Sequence, residues 1–111
     1  MQNLNDYIKF LGLTKPVVVR VNSRTHRAWH GYYLPKFSRK TGKLQEHKIT
    51  IYLGDLGDAM DRILAHELIH AWQQENNKQD ELHGKHFRKM AKVMNEHFGL
   101  QDIYRKGIDT N

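Results

Sequence analysis

An α+β fold follows from two features of the sequence. Three runs rich in β-branched and aromatic residues fill its first half, and two stretches with helical periodicity fill its second. At 111 residues the chain is near the size of one hydrophobic core. It has no internal repeat, low-complexity tract or Pro/Gly/Ser-rich linker, so residues 1–111 are expected to form one domain.

Taken in order, Asn5 to Leu11 places Tyr7, Ile8 and Leu11 at helical spacing, and Gly12 supplies a stop. The β-like runs are Pro16 to Val21 (PVVVRV), Trp29 to Leu34 (WHGYYL) and His47 to Leu53 (HKITIYL). They predict a small three-stranded antiparallel sheet. Between the last two, Pro35 to Gln45 carries Lys36, Arg39, Lys40 and Lys43 around a Thr41-Gly42 turn signal, which predicts an exposed basic hairpin loop. After Gly54 and Gly57 the period becomes helical. Asp58 is placed to cap, and Met60, Ile63, Leu64, Leu68, Ala71 and Trp72 form an apolar stripe. A polar stretch, Glu75 to Glu81, leads to a last helix around Gly84 to Phe98, with Phe87, Met90, Ala91, Met94 and Phe98 at three- and four-residue spacing and Gly99 as terminator. The tail from Gln101 is expected to fray in part.

The bulk composition narrows the chemistry. No apolar run approaches the roughly 20 residues that span a bilayer, and Met1 to Lys15 lacks a basic region followed by an apolar one. A cytoplasmic location without a membrane partner is the expectation. The chain has no cysteine, which excludes disulfides, thiolate metal ligands and a cysteine nucleophile. Any metal must be held by His, Asp or Glu. The net charge of +6 favours a polyanionic partner, because clustered Lys and Arg release counterions from phosphate backbones.

Within the fourth element stand His66, Glu67 and His70, an HExxH pattern. Four residues apart on a helix, the two imidazoles project from one face and can reach one metal. Glu67 is placed to accept a proton from a metal-associated water, so the pattern reads as two zinc ligands and one general base. A catalytic zinc site usually takes three protein ligands and leaves one position open. Two candidates for the third lie beyond a 12-residue connection, His83 at the start of the next helix and His86 one turn later.

The stretches AHELIHAW (Ala65 to Trp72) and LHGKHF (Leu82 to Phe87), together with the order helix, strands, two helices, resemble the SprT-like (Spartan-type) zinc metalloproteases. The likeness covers nearly the whole chain. An HExxH followed by HGxxF at the start of the next helix is more specific than HExxH alone. The resemblance implies a zincin-like minimal metalloprotease with an N-terminal helix, a small sheet, the HExxH helix and a following helix. It implies His83 as third ligand, Gly84 as a close turn and Phe87 as a core anchor. It also implies an endopeptidase linked to single-stranded DNA, acting on DNA-bound or DNA-crosslinked proteins in crosslink repair. His86 departs from the family, many of whose members have an acidic residue there. The zinc ribbon that often follows cannot be built without cysteine, which leaves a minimal catalytic domain. The small size suits a viral member, for which the location is the host-cell interior.

Several contacts are left open by the sequence. An electrophile beside zinc is needed for the developing oxyanion, and Tyr52, His86, Arg88 and Tyr104 carry suitable donors. His47 to Leu53 is the candidate edge strand for an extended substrate. Lys85, Arg88, Lys89 and Lys92 form a basic ridge, which with Arg39, Lys40, Lys43 and aromatics such as Trp29 or Tyr32 can track single-stranded DNA. The competing readings are a metal-dependent nuclease and a non-catalytic, zinc-braced DNA-binding module.

Overall fold

A computed structural model describes residues 4–24, 30–52, 60–78 and 81–104. Trp29, Leu53, Gly54, Gly57 and Asp58, and the tail beyond Tyr104, lie outside the described residues. Among the described residues the order is α1 (Leu4–Leu11), β1 (Val17–Asn22), β2 (Gly31–Phe37), β3 (Leu44–Tyr52), α2 (Met60–Glu75) and α3 (Lys85–Phe98). The architecture is α+β, and no described helix is long and apolar enough to cross a membrane.

The helix ends follow local chemistry. Gly12 sits at φ 67°, with its N–H bonded to the Lys9 carbonyl and the N–H of Leu13 to the Ile8 carbonyl. This paired reversal closes α1 at a position where a side chain is disfavoured. Gly99, at φ 66°, closes α3 onto the Asn95 carbonyl.

The sheet is mixed, where three antiparallel strands are expected. Its order is β1-β3-β2, with β3 parallel to β1 and antiparallel to β2. The direction follows from the topology: β2 runs opposite to β1 but one place away, and the hairpin return of β3 fills the gap between them. β3 is therefore the central strand, and the edge role expected of His47 to Leu53 falls to its neighbours. The hairpin loop is also shorter than the polar composition of Pro35 to Gln45 suggests. The strands continue through Lys36, which pairs with Glu46 at 3.6 Å, and only Ser38 to Lys43 forms the turn.

α2 lies between the sheet and the other two helices. On one side it meets His47, Ile49 and Ile51, which alternate onto the inner face of β3. On the other it meets Tyr7 and Leu11 of α1 and Phe87, Ala91 and Met94 of α3. Every residue from Arg62 to Ala71 is buried, so the expected stripe underestimates the helix's contacts. The segment after α3 also departs from expectation. Asp102, at φ 55°, turns the chain back, Ile103 is fully buried, and Arg62 Nη1 donates to the Asp102 carbonyl at 3.0 Å.

A polar clasp ties the far end of α2 to the sheet. The Glu75 carboxylate receives the ring of fully buried His47 at 2.6 Å, the Thr14 N–H and hydroxyl at 2.9 and 2.8 Å, and the Lys15 N–H at 3.2 Å. The other His47 nitrogen meets the Tyr33 hydroxyl at 2.7 Å. Burial pushes the Glu75 carboxyl up, but the hydrogen bonds from His47, Thr14 and Lys15 outweigh it and hold the group below its ordinary value. A depressed carboxyl contributes stability that is present above its unfolded pKa and lost as pH falls through the folded one. Replacing Glu75 by Gln should therefore destabilise the fold by about 1–2 kcal/mol near neutral pH. In chemical denaturation the difference from wild type should shrink toward zero as the pH is taken below the carboxylate range.

Candidate metal centre

The centre is built on the middle of α2. His66, Glu67 and His70 are 2%, 1% and 5% exposed, enclosed because the helix that carries them is covered on nearly every side. His83 arrives from the turn before α3 and is half-buried. Its ring lies 5.2 Å from that of His66 and 5.0 Å from that of His70, centroid to centroid. One nitrogen from each of the three lies within 4.8 Å of the other two. Nitrogen ligands about 2.0–2.1 Å from a tetrahedral ion lie about 3.3–3.4 Å apart. The Nε2 atoms of His66 and His83 are 3.3 Å apart.

The outer nitrogens test the fit to a metal independently. His66 Nδ1 lies 2.8 Å from the carbonyl of Ile103, which can only accept, so this nitrogen carries a proton and Nε2 is the one left for a metal. His70 Nδ1 meets the Gln73 Oε1 at 2.8 Å. The Gln73 amide has a defined orientation, because its nitrogen faces the carbonyls of Lys78, Glu81 and Leu82 at 3.3, 3.3 and 3.1 Å. His70 is thus also protonated at Nδ1. With Nδ1 engaged by an outer partner, each ring has Nε2 as its remaining nitrogen for a metal.

Packing holds the third histidine. The Phe87 ring forms a common floor, 4.8, 4.8 and 4.9 Å from the rings of His66, His70 and His83. Tyr104 stacks on His83 at 5.0 Å and 24°. Arg88 Nε donates to the His83 carbonyl at 3.0 Å, with its guanidinium 5.7 Å from the Tyr104 ring. Gly84 is required by space, since a Cβ there would run into the side chain of Glu81.

Glu67 sits against the start of β2. A Cβ on Gly31 would lie 3.4 Å from Glu67 Oε2 and only 2.9 Å from both Ile63 Cγ2 and the Thr50 carbonyl. The absent side chain of Gly31 is what lets the carboxylate, α2 and the sheet meet so closely. A glycine inside a strand pattern is itself a signal of such an approach, and WHGYYL carries it.

Of the residues singled out by sequence, the structure brings His66, Glu67, His70 and His83 together, with Arg88 and Tyr104 beside them. Tyr52 and His86 lie elsewhere. Alternation along β3 places Tyr52 on the sheet face away from α2, its ring 6.1 Å from that of Tyr32. His86 lines an apolar groove with Phe10, Trp72, Met90 and Val93, rimmed by Lys78 and Lys89. Arg39, Lys40, Lys43, Lys85, Arg88, Lys89 and Lys92 are all exposed. Sequence reasoning misses Gln73 and Ile103: one belongs to no motif, and the other acts through its backbone carbonyl. In a chelator-competition titration, His83→Ala should lower zinc affinity by more than the roughly 10–100-fold that loss of an outer-shell partner costs. His86→Ala should leave it unchanged.

A family model described as the SprT-like family matches residues 2–106. No curated protein and no solved structure matches the chain.

Proposed function

The chain belongs to the SprT-like family, and from that premise we propose that it is a zinc-dependent endopeptidase acting on DNA-bound or DNA-crosslinked proteins. The observation that carries this reading is the convergence of three imidazole donors beside a buried glutamate one residue after the first of them. Family membership supports a metalloprotease-like domain, and the donor set fits a borderline-soft divalent ion. His66, His70 and His83 would hold zinc, which would supply Lewis acidity and lower the pKa of a water toward about 7.

The remaining work is done by the chain's own groups. Glu67 takes a proton from the attacking water and returns it to the leaving amine, a role suited to a carboxylate held still by burial beside Gly31. Arg88 and Tyr104, next to His83, carry donors that suit a carbonyl oxygen gaining charge. Among the described residues no strand pairs with the outer edge of β2, which begins beside Glu67, and this edge suits an extended substrate. Recognition through backbone groups leaves side-chain preference loose. Pro35, which has no N–H, limits how far an added strand can pair.

Single-stranded DNA is the partner this reading assigns to the exposed cations. Lys85, Arg88, Lys89 and Lys92 lie on α3, the helix whose first turn follows His83, so a strand held there keeps a DNA-bound protein near the cleft.

Two measurements test the proposal. Purified protein should cleave a DNA-binding protein faster when single-stranded DNA is present, and Glu67→Gln should keep its zinc and fold yet lose turnover by a factor on the order of 100 or more. Full activity in that variant, or a Glu67-dependent cleavage of DNA itself, would overturn the assignment. Reversing charge at Lys85 and Lys89 should weaken DNA binding and flatten its dependence on salt, as read by fluorescence anisotropy across a salt series. Binding identical to wild type would remove α3 as the DNA surface.

A further inference from the structure

We propose that Gln73 is a positioning residue that couples the second histidine of the centre to the segment delivering the third. The proposal rests on reading His66, His70 and His83 as a metal site, and it is independent of whether the metal serves proteolysis.

Gln73 is fully buried and lies three residues after His70, so its side chain comes off α2 near the same face. Its oxygen accepts the His70 Nδ1 proton, and its nitrogen serves the carbonyls of Lys78, Glu81 and Leu82, the last of which immediately precedes His83. The backbone at this point joins in. Asn77, at φ 54°, reverses the chain, so that the Lys78 N–H returns to the Gln73 carbonyl at 2.9 Å. One residue thus sets the tautomer and orientation of His70 and fixes the chain on both sides of the connection that presents His83.

Only an amide of this length meets the requirement. A carboxylate accepts from His70 but repels three carbonyls, an ammonium donates but cannot accept, and an apolar side chain does neither. Part-buried carbonyls left without this donor would turn toward water and draw the segment, and His83 with it. If the amide couples the two ligands, ligation must in turn stabilise the amide's own bonds, because such coupling is reciprocal.

The test separates these roles by variant. Zinc affinity is measured by chelator competition for wild type, His83→Ala, Gln73→Glu and the double variant, with circular dichroism of each metal-free protein as the check on folding. Equal affinity for wild type and His83→Ala would show that the three-histidine reading itself fails. With that reading intact, Gln73→Glu retains the acceptor for His70 but loses the donors to the connection. It is expected to bind zinc about 10–100-fold more weakly than wild type. In the His83→Ala background it should cost little more, because the ligand it positions is already gone. Wild-type affinity in Gln73→Glu, or a full additive loss in the double variant, would overturn the proposal. A second measurement needs no variant. In wild type, zinc should slow solvent exchange of the Gln73 side-chain amide protons, followed by nuclear magnetic resonance, and unchanged exchange would overturn the coupling.

Discussion

Burying a helix whose polar face carries two imidazoles, a carboxylate and a carboxamide sets the terms for the rest of this fold. α2 is enclosed from Arg62 to Ala71, and a polar group removed from water without a partner costs on the order of 1–3 kcal/mol. The partners, from α2 itself and from the segment after α3, stand at distances that leave little latitude. Ile103 offers a carbonyl to His66, Gln73 an amide oxygen to His70, and Asp102 a carbonyl to Arg62. None of these comes from the apolar packing that shapes the core. They require the segment after α3 to turn back and the connection before it to close against the end of α2.

The same requirement explains the division of labour among the glycines and rings. Gly31 admits the Glu67 carboxylate between strand and helix, and Gly84 lets the chain turn tightly against Glu81. Phe87 supplies an apolar floor touching all three histidines, which limits the directions in which their rings can tilt. At the other end of α2, the Glu75, His47 and Thr14 clasp anchors the helix to the sheet and to the turn after α1. The helix is pinned at both ends, so the centre in its middle has a rigid base.

Much of this was legible in the sequence, and the failures have physical causes. Periodicity reports which face of an element is apolar, so the helices and strands were readable. It does not report which strands become neighbours, so the parallel pairing of β1 with β3 and the central place of β3 were not. Lys36 reads as a loop residue by polarity, although on a strand a polar residue faces outward at every second position. The pairing of His66 with His70 followed from helix geometry alone. His83 rather than His86 came from resemblance to a family, because both lie at workable spacing. Gln73 and Ile103 could not be found by motif, since a lone amide and a backbone carbonyl acquire meaning only once the chain has folded around them.

The hydrogen bond from His66 to Ile103 also bears on how the protein is made. A ribosome releases the HExxH helix well before the segment after α3, and domains are synthesised from the N-terminus onward. During that interval His66 has neither its carbonyl partner nor the Tyr104 ring nearby, and His83 follows as a later arrival. The histidine cluster therefore completes itself only once the segment after α3 has emerged, so a nascent chain carries the parts of the candidate metal centre without its assembled form.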